Sequence, residues 1–259
     1  MTDWDAELYL NFETMRTRPA QELLARVKLK QPERIVDLGC GPGNSTELLV
    51  ERFPLAGITG LDSSPAMLKQ ARERLSGVSF VRGDITDWVP DLPVDLIFAN
   101  ASLQWCPDHA DLFPRLIDHL RPGGMLAVQM PDNLSEPSHQ LMNEIAKRPR
   151  WQELLSGAAS QRSKIGTFES YYSSLVANCV DVDIWNCCYG HVLPGADSIV
   201  QWLKSSGLRP YLDPLSPAEQ KLFLEAYSRA ISNAYPPLAD GRVLLRFPRL
   251  FIVATKKLV

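Results

Sequence analysis

Val36-Asp37-Leu38-Gly39-Cys40-Gly41-Pro42-Gly43-Asn44-Ser45 is the stretch on which the fold turns. It continues the apolar run that begins at Arg34-Ile35 and leads into Thr46-Glu47-Leu48-Leu49, which predicts a helix. A strand, a glycine-rich turn and a helix in that order read as a nucleotide-cofactor loop. Gly39, Gly41 and Gly43 stand at alternate positions, where the missing Cβ lets backbone approach a ligand and opens angles closed to other residues. About twenty residues on, a second apolar run ends in Asp62, an acid placed to bind ribose hydroxyls, with Ser63 beside it.

The dinucleotide fingerprint is not met, because G-x-G-x-x-G counted from Gly39 requires glycine where Asn44 stands. Asp37 sharpens the reading. A carboxylate directly before the loop is a poor neighbour for a pyrophosphate and a good one for an ammonium and a sulfonium. S-adenosylmethionine therefore fits these residues better than NAD, and NAD-dependent dehydrogenation is the weaker reading.

Working outward, residues 34–38, 58–62, 78–82, 94–100 and 124–130 are short runs rich in Val, Ile, Leu and Phe, separated by helical patterns. That alternation predicts an α/β fold, a doubly wound, mostly parallel sheet with helices on both faces. Asn44 or Ser45 is expected to cap the helix after the loop, Ser64 with Pro65 the next, and Asp108 the one through Leu112, Leu116 and Leu120. Beyond position 131 the pattern reads as helices over 138–148, 150–161 and 167–178, a strand over 181–193, helices near 196–206 and 216–233, and a last strand over 247–255. The organisation expected is a single domain over 1–259, a cofactor-binding core at 30–135, and helical cap insertions at 136–180 and 196–240.

Composition narrows the function classes. A chain of 259 residues, 45% hydrophobic, buries a sizeable core. Its 27 basic and 30 acidic residues leave a net charge of -3, so no general basic field attracts nucleic acid. Five cysteines without a C-x-x-C pair argue against a disulfide framework and against a zinc site. The acidic start Met1-Thr2-Asp3-Trp4-Asp5 is unlike a secretory signal, and no apolar run approaches the ~18 residues of a membrane span. A cytoplasmic protein that uses no metal is the expectation; its oligomeric state is not legible.

In open sheets of this kind ligands bind at the carboxyl ends of the strands, where strand order reverses. Asp84 and Ile85, after the third run, can accept from and donate to an adenine edge; Asp84 could equally cap a helix entering Trp88. Asn100, Gln104 and Trp105 follow the fourth run, where the transferred group would lie, although an indole is as often core as site.

Gly39 to Gly43, Asp62, Gly83-Asp84-Ile85, Asn100 and Leu120-Arg121-Pro122-Gly123-Gly124 together resemble the successive motifs of the seven-stranded S-adenosylmethionine-dependent methyltransferases, over residues 30 to 135. Three further stretches narrow the resemblance to members that esterify a small tricarboxylate, trans-aconitate. They are Trp4 with Tyr9-Leu10-Asn11-Phe12 and Arg16-Thr17-Arg18-Pro19; Asn100 to Trp105 with Pro107-Asp108-His109; and Val128-Gln129-Met130-Pro131-Asp132-Asn133. Phe247 to Ala254 extends the likeness to the end of the chain, and residues 147–166 match least well.

The resemblance implies methyl transfer from S-adenosylmethionine to one acceptor carboxylate. An acceptor carboxylate is already ionised at neutral pH, so no general base is required, and no side chain is assigned a covalent or acid–base role. Rate then comes from placing an oxygen in line with the methyl group. Holding a tri-anion requires cations and neutral donors, for which the candidates are Arg16, Arg18, Arg209, Arg246 and Arg249 with Tyr171, Tyr172 and His191. Another small acceptor, or a binding module without catalysis, are the alternatives; the intact glycines, Asp62 and Asp84 count against the latter.

Overall fold

The computed structural model describes residues 12–258, so Trp4 and Tyr9-Leu10-Asn11 lie outside the described residues. Among the described residues seven strands form one sheet: β1 (Arg34–Leu38), β2 (Gly57–Asp62), β3 (Ser79–Arg82), β4 (Val94–Asn100), β5 (Leu120–Pro131), β6 (Cys179–Leu193) and β7 (Val243–Lys256). Their order is β3-β2-β1-β4-β5-β7-β6. The pairs β1 with β2, β2 with β3, β1 with β4 and β4 with β5 are all parallel. The chain lays β2 and β3 on one side of β1, then returns to place β4 and β5 on the other. The reversal between β1 and β4 is where such sheets bind ligands.

The helices are α1 (Glu13–Ala25), α2 (Asn44–Arg52), α3 (Pro65–Arg74), α4 (His109–Asp118), α5 (Pro137–Ala146), α6 (Phe168–Leu175), α7 (Ala196–Lys204), α8 (Arg209–Leu212) and α9 (Pro217–Ala234). None of the described helices is long and apolar enough to cross a membrane.

The chain divides into two compact units. One comprises 13–131, 163–187 and the segment from Leu250; its core packs strand residues Val36, Leu38, Ile97 and Val128 with Phe113 and Leu116 of α4. The other comprises Phe12, 132–162 and 188–249, with Trp202, Phe223 and Tyr227 fully buried and Trp151 set edge-on to Phe223 at 5.3 Å.

Local chemistry explains most boundaries, and three expectations need correction. Ser64 caps α3 as its sequence suggests, accepting from the Met67 amide at 3.1 Å with Pro65 at the first helical position. By contrast α2 is capped by neither Asn44 nor Ser45: the cap residue is Gly43, left-handed at φ 92, while Asn44 donates to Glu13 at 2.6 Å and Ser45 turns to Asp37. Asp108 does occupy the cap position of α4, but its φ of 49 leaves its side chain without a cap bond. Residues 150–161 are consecutive turns ending in a short 3-10 helix over Ala158–Gln161, not an α-helix. Pro149 at the start and Gly157 within weaken helix propagation there.

Candidate functional site

The glycine loop is shaped by contacts that its sequence implies only in part. Gly39, Gly41 and Gly43 all have positive φ, at 71, 54 and 92. At Gly39 an added Cβ would collide with the Ser102 side chain and touch Ile85 Cδ1 at 3.5 Å, so only glycine fits. Ser102 donates from Oγ to the Leu38 carbonyl at 2.6 Å, which ties the carboxyl ends of β1 and β4 together at the reversal. The amides of Gly39 and Cys40 both donate to the Leu61 carbonyl, at 2.7 and 3.0 Å, joining the loop to β2.

Asp37 is wholly buried on β1, and its Oδ2 accepts from the hydroxyls of Ser45 and Thr46, each at 2.7 Å. Its Oδ1 is buried with no hydrogen-bond partner. Burial pushes its pKa up from 3.8 to about 6, the two hydroxyls opposing and the charge of Asp62 reinforcing the shift. A carboxylate so desolvated gains from a cation. Asn100, half-buried at the end of β4, likewise has a buried, unpartnered Oδ1. Two acceptor oxygens on neighbouring strands fit an ammonium group better than a phosphate.

Asp62 clamps the loop: its Oδ2 accepts from the Gly41 amide at 2.9 Å and its Oδ1 from the Ser64 amide at 2.8 Å. Ser63, next to it, is exposed. Asp84 is exposed and accepts from both the amide and the hydroxyl of Thr86, at 2.8 and 2.7 Å, through Oδ1. Residues 85–87 form a turn, so the helix-capping reading of Asp84 is corrected to an Asx turn.

The segment after β4 is held by several bonds. Ala101 takes a positive φ of 56; His109 Nε2 meets the Leu103 carbonyl at 2.8 Å, and the Ser163 amide donates to the Gln104 carbonyl at 2.9 Å. Gln104 is buried, donating from Nε2 to the Ala101 carbonyl at 2.6 Å while its Oε1 has no partner; Trp105 is half-buried.

The tricarboxylate candidates separate by environment. Arg16 is buried on α1, whereas Arg18 is an exposed surface pair with Glu22 at 2.8 Å. Tyr171 is committed to the core, its hydroxyl 2.7 Å from His109 Nδ1, and Tyr172 is exposed. In the other unit the period of two along β7 sends Arg246 outward and Phe247 and Arg249 inward. Arg249 lies 4.7 Å over the Phe247 ring and 5.7 Å over Tyr189, and His191 stacks 6.0 Å from Tyr189 and 4.7 Å from Trp202, so Arg249 and His191 share one aromatic cluster. Arg209 pairs with Asp213 at 3.3 Å, and exposed Arg246 reaches Glu136 only at 3.9 Å.

Asn133, His139 and Arg162 are not among the site candidates read from the sequence, although Asn133 falls in a stretch that carries the resemblance. Asn133 is 1% exposed with neither amide atom partnered, and Arg162 Nη1 lies 3.3 Å from His139 Nε2. The signal available was position: Asn133 lies two residues past the end of β5, whereas Arg162 falls in the stretch whose resemblance is weakest.

Among the described residues no group of His, Cys, Asp and Glu could hold a metal ion. Residues 35–124 match the sequence model of a family described as a methyltransferase domain. Over 256 residues the chain is 56% identical to the trans-aconitate 2-methyltransferase of Acidovorax ebreus (strain TPSY) and 57% identical to that of Methylobacterium nodulans, covering 99% of this chain and 99% of each relative. Among solved structures it resembles Haemonchus contortus phosphoethanolamine N-methyltransferase 2 in complex with S-adenosyl-L-methionine, with a TM-score of 0.56 and 19% identity over 93% of this chain and 52% of that one.

Proposed function

Because the chain belongs to the trans-aconitate 2-methyltransferase family of S-adenosylmethionine-dependent methyltransferases, we propose that it converts one carboxylate of trans-aconitate to the methyl ester, releasing S-adenosylhomocysteine. The observation that carries this reading is the end-to-end identity with those relatives, joined to a glycine loop built for such a donor. S-adenosylmethionine supplies an electrophilic methyl group on a sulfonium that leaves readily.

The chain's own residues do the rest by binding and orientation. Gly39, Gly41 and Gly43 present backbone to the donor, and the free oxygens of Asp37 and Asn100 face its ammonium end. Asp62 and Ser63 take the ribose hydroxyls, while Asp84 and the Ile85 amide take the adenine edge. Gln104, whose Oε1 is uncommitted, and Trp105 border the reacting carboxylate, and the buried guanidinium of Arg16 offsets acceptor charge. No base is needed, since the attacking oxygen is already ionised; proximity and alignment lower the barrier. Residues 30–135 form the donor-binding part of one methyltransferase domain, with acceptor recognition assigned to 136–180 and 196–240. Five free thiols and a net charge of -3 support a reducing, cytoplasmic setting and a small-molecule acceptor with no nucleic-acid partner.

The test is S-adenosylhomocysteine release by the purified protein across a panel of di- and tricarboxylates, with mass spectrometry of the ester. Turnover with trans-aconitate is expected; donor binding without turnover of any carboxylate would overturn the esterification.

A further inference from the structure

Among the described residues, Ala101 and Asp108 are the ones other than glycine that take a positive φ, at 56 and 49. They bracket the stretch that carries Gln104 and Trp105. A residue with a Cβ is strained at such an angle, which persists only where its surroundings impose it, and strain of this kind collects at working sites. Between the two lies one short 3-10 helix, Leu103–Trp105. It is closed by the Trp105 amide on the Ser102 carbonyl at 3.1 Å and the Cys106 amide on the Leu103 carbonyl at 2.9 Å. Two such bonds do not hold a strained segment by themselves, since a single turn fixes many angles for few bonds.

The rest of the hold comes from side chains. His109 opens α4 directly after Asp108, and its Nε2 meets the Leu103 carbonyl at 2.8 Å. A carbonyl only accepts, so Nε2 carries the ring's proton and Nδ1 its lone pair. The Tyr171 hydroxyl, 2.7 Å from Nδ1, therefore donates there, and its oxygen accepts from the Gly166 amide at 3.3 Å. Every bond points the same way, from Gly166 through Tyr171 and His109 to Leu103. Tyr171 lies on α6, 62 residues beyond His109 in the chain, and is 2% exposed with its ring 4.9 Å from Phe113. Burial pushes the His109 pKa below 6.5, against the carbonyls of Leu103 and Cys106, so at neutral pH the ring holds the single proton that these bonds require. All of these residues belong to the unit that contains 13–131 and 163–187.

Ser163 adds a second brace, its amide donating to the Gln104 carbonyl at 2.9 Å and its Oγ to the Cys106 carbonyl at 2.6 Å. The backbone carbonyls of 103, 104 and 106 are thus all held from outside the helix. The Gln104 side chain turns back on the Ala101 carbonyl at 2.6 Å and leaves its Oε1 buried without a hydrogen bond. A buried amide with one atom unbonded is uncommon where fold stability alone is served.

We infer that His109 and Tyr171 are positioning residues for methyl transfer: through the Leu103 carbonyl they hold the strained segment 101–108, and with it Gln104 and Trp105, in the geometry that aligns the acceptor. The inference rests on the function read above, in which Gln104 and Trp105 border the reacting carboxylate. His109 and Tyr171 act through that segment and do not touch the acceptor, which reassigns Tyr171 from the direct donor that its residue type suggests.

The test uses Tyr171→Phe, His109→Gln and His109→Asn in the full chain. It reads kcat and KM for trans-aconitate, S-adenosylmethionine affinity, thermal unfolding and hydrogen exchange of the Trp105 and Cys106 amides. Tyr171→Phe is expected to lower kcat about tenfold, with KM and donor affinity within about twofold of wild type, because a small misplacement costs alignment and not binding. His109→Gln, whose amide can still donate to Leu103, is expected to keep kcat closer to wild type than His109→Asn, whose shorter amide reaches only the position of Nδ1. A merely structural pair would lower the unfolding temperature and leave kcat, measured well below it, unchanged. Wild-type kcat in folded Tyr171→Phe and His109→Asn overturns the inference and leaves the function standing. A raised KM at unchanged kcat in Tyr171→Phe also overturns it, since that is the mark of a residue touching the acceptor. If Tyr171→Phe does not fold, the His109 pair decides, and equal kcat in the two overturns the link through Leu103. Should the wild type esterify no carboxylate, the function fails and exchange decides the rest. Faster exchange at Trp105 and Cys106 in Tyr171→Phe supports the hold on the segment, and unchanged exchange overturns it.

Discussion

Replacing Asp37 with asparagine isolates the physics of the donor loop. Asp37 is fully buried, and its pKa stands at about 6 instead of 3.8. That displacement corresponds to about 3 kcal/mol, at ~1.4 kcal/mol for each pH unit. Because the folded state holds this proton more tightly than the unfolded chain, the associated stability is fully present below pH 3.8 and is lost as pH rises through about 6. Asparagine is close to isosteric, and its carbonyl can accept from Ser45 and Thr46 as Oδ2 does now, but it never ionises. The stability difference between Asp37→Asn and wild type, measured by urea denaturation without donor from about pH 4 to about pH 8, should therefore move in favour of the variant by about 2.4 kcal/mol, the part of the whole that falls within this range, with most of the change between pH 4 and 6. Taking the difference removes the contribution of every other titrating group. Donor affinity should move the opposite way: the variant lacks the charge proposed to face the ammonium, and wild-type affinity should rise with pH until Asp37 is fully ionised. Parallel stability curves for the two proteins over that range would refute the desolvated-carboxylate argument.

Asp62→Ala should lower thermal stability as well as donor affinity, because it strands the Gly41 and Ser64 amides, each hydrogen bond to a charged group contributing about 1.5–3 kcal/mol. Asp62→Asn should fall between alanine and wild type in both measurements, and donor affinity in Asp62→Ala equal to wild type would remove the ribose assignment. Gly39→Ala should destabilise by about 1–3 kcal/mol from backbone strain at φ 71, with a further loss from collision with Ser102. Adding Ser102→Gly should recover the collision part alone in a thermal melt, and full recovery would show that the backbone angle costs nothing.

The donor side was legible in the sequence because its information is local. Each of β1 to β5 is a short apolar run, and the three glycines stand where positive φ is needed. Ser64 and Pro65 announce α3 within two residues. Where a neighbouring element competes, local reading fails. Asn44 and Ser45 carry good capping side chains, yet Glu13 and Asp37 claim them and leave Gly43 as the cap. The turns over 150–161 have helix-forming residues on either side of Pro149 and Gly157, and it is the interruption that prevails.

Residue type alone could not sort the arginines. Arg246 and Arg249 lie three apart on one strand, and their opposite fates follow from which face of β7 is buried. Arg18 and Arg162 are equivalent letters, but one pairs with Glu22 in solvent while the other meets a neutral imidazole deep in its unit.

By itself, the sequence determined the α/β class, the positions of the first five strands along the chain, the glycine turn after β1 and, through its likeness to known enzymes, the chemistry to expect, since periodicity, glycine and a few acids act over a handful of residues. Only the tertiary structure decided which polar groups are buried, which buried atoms lack a hydrogen bond, and that His139 meets Arg162. Desolvation and hydrogen-bond satisfaction depend on what surrounds a group, and those surroundings come from residues distant in the chain.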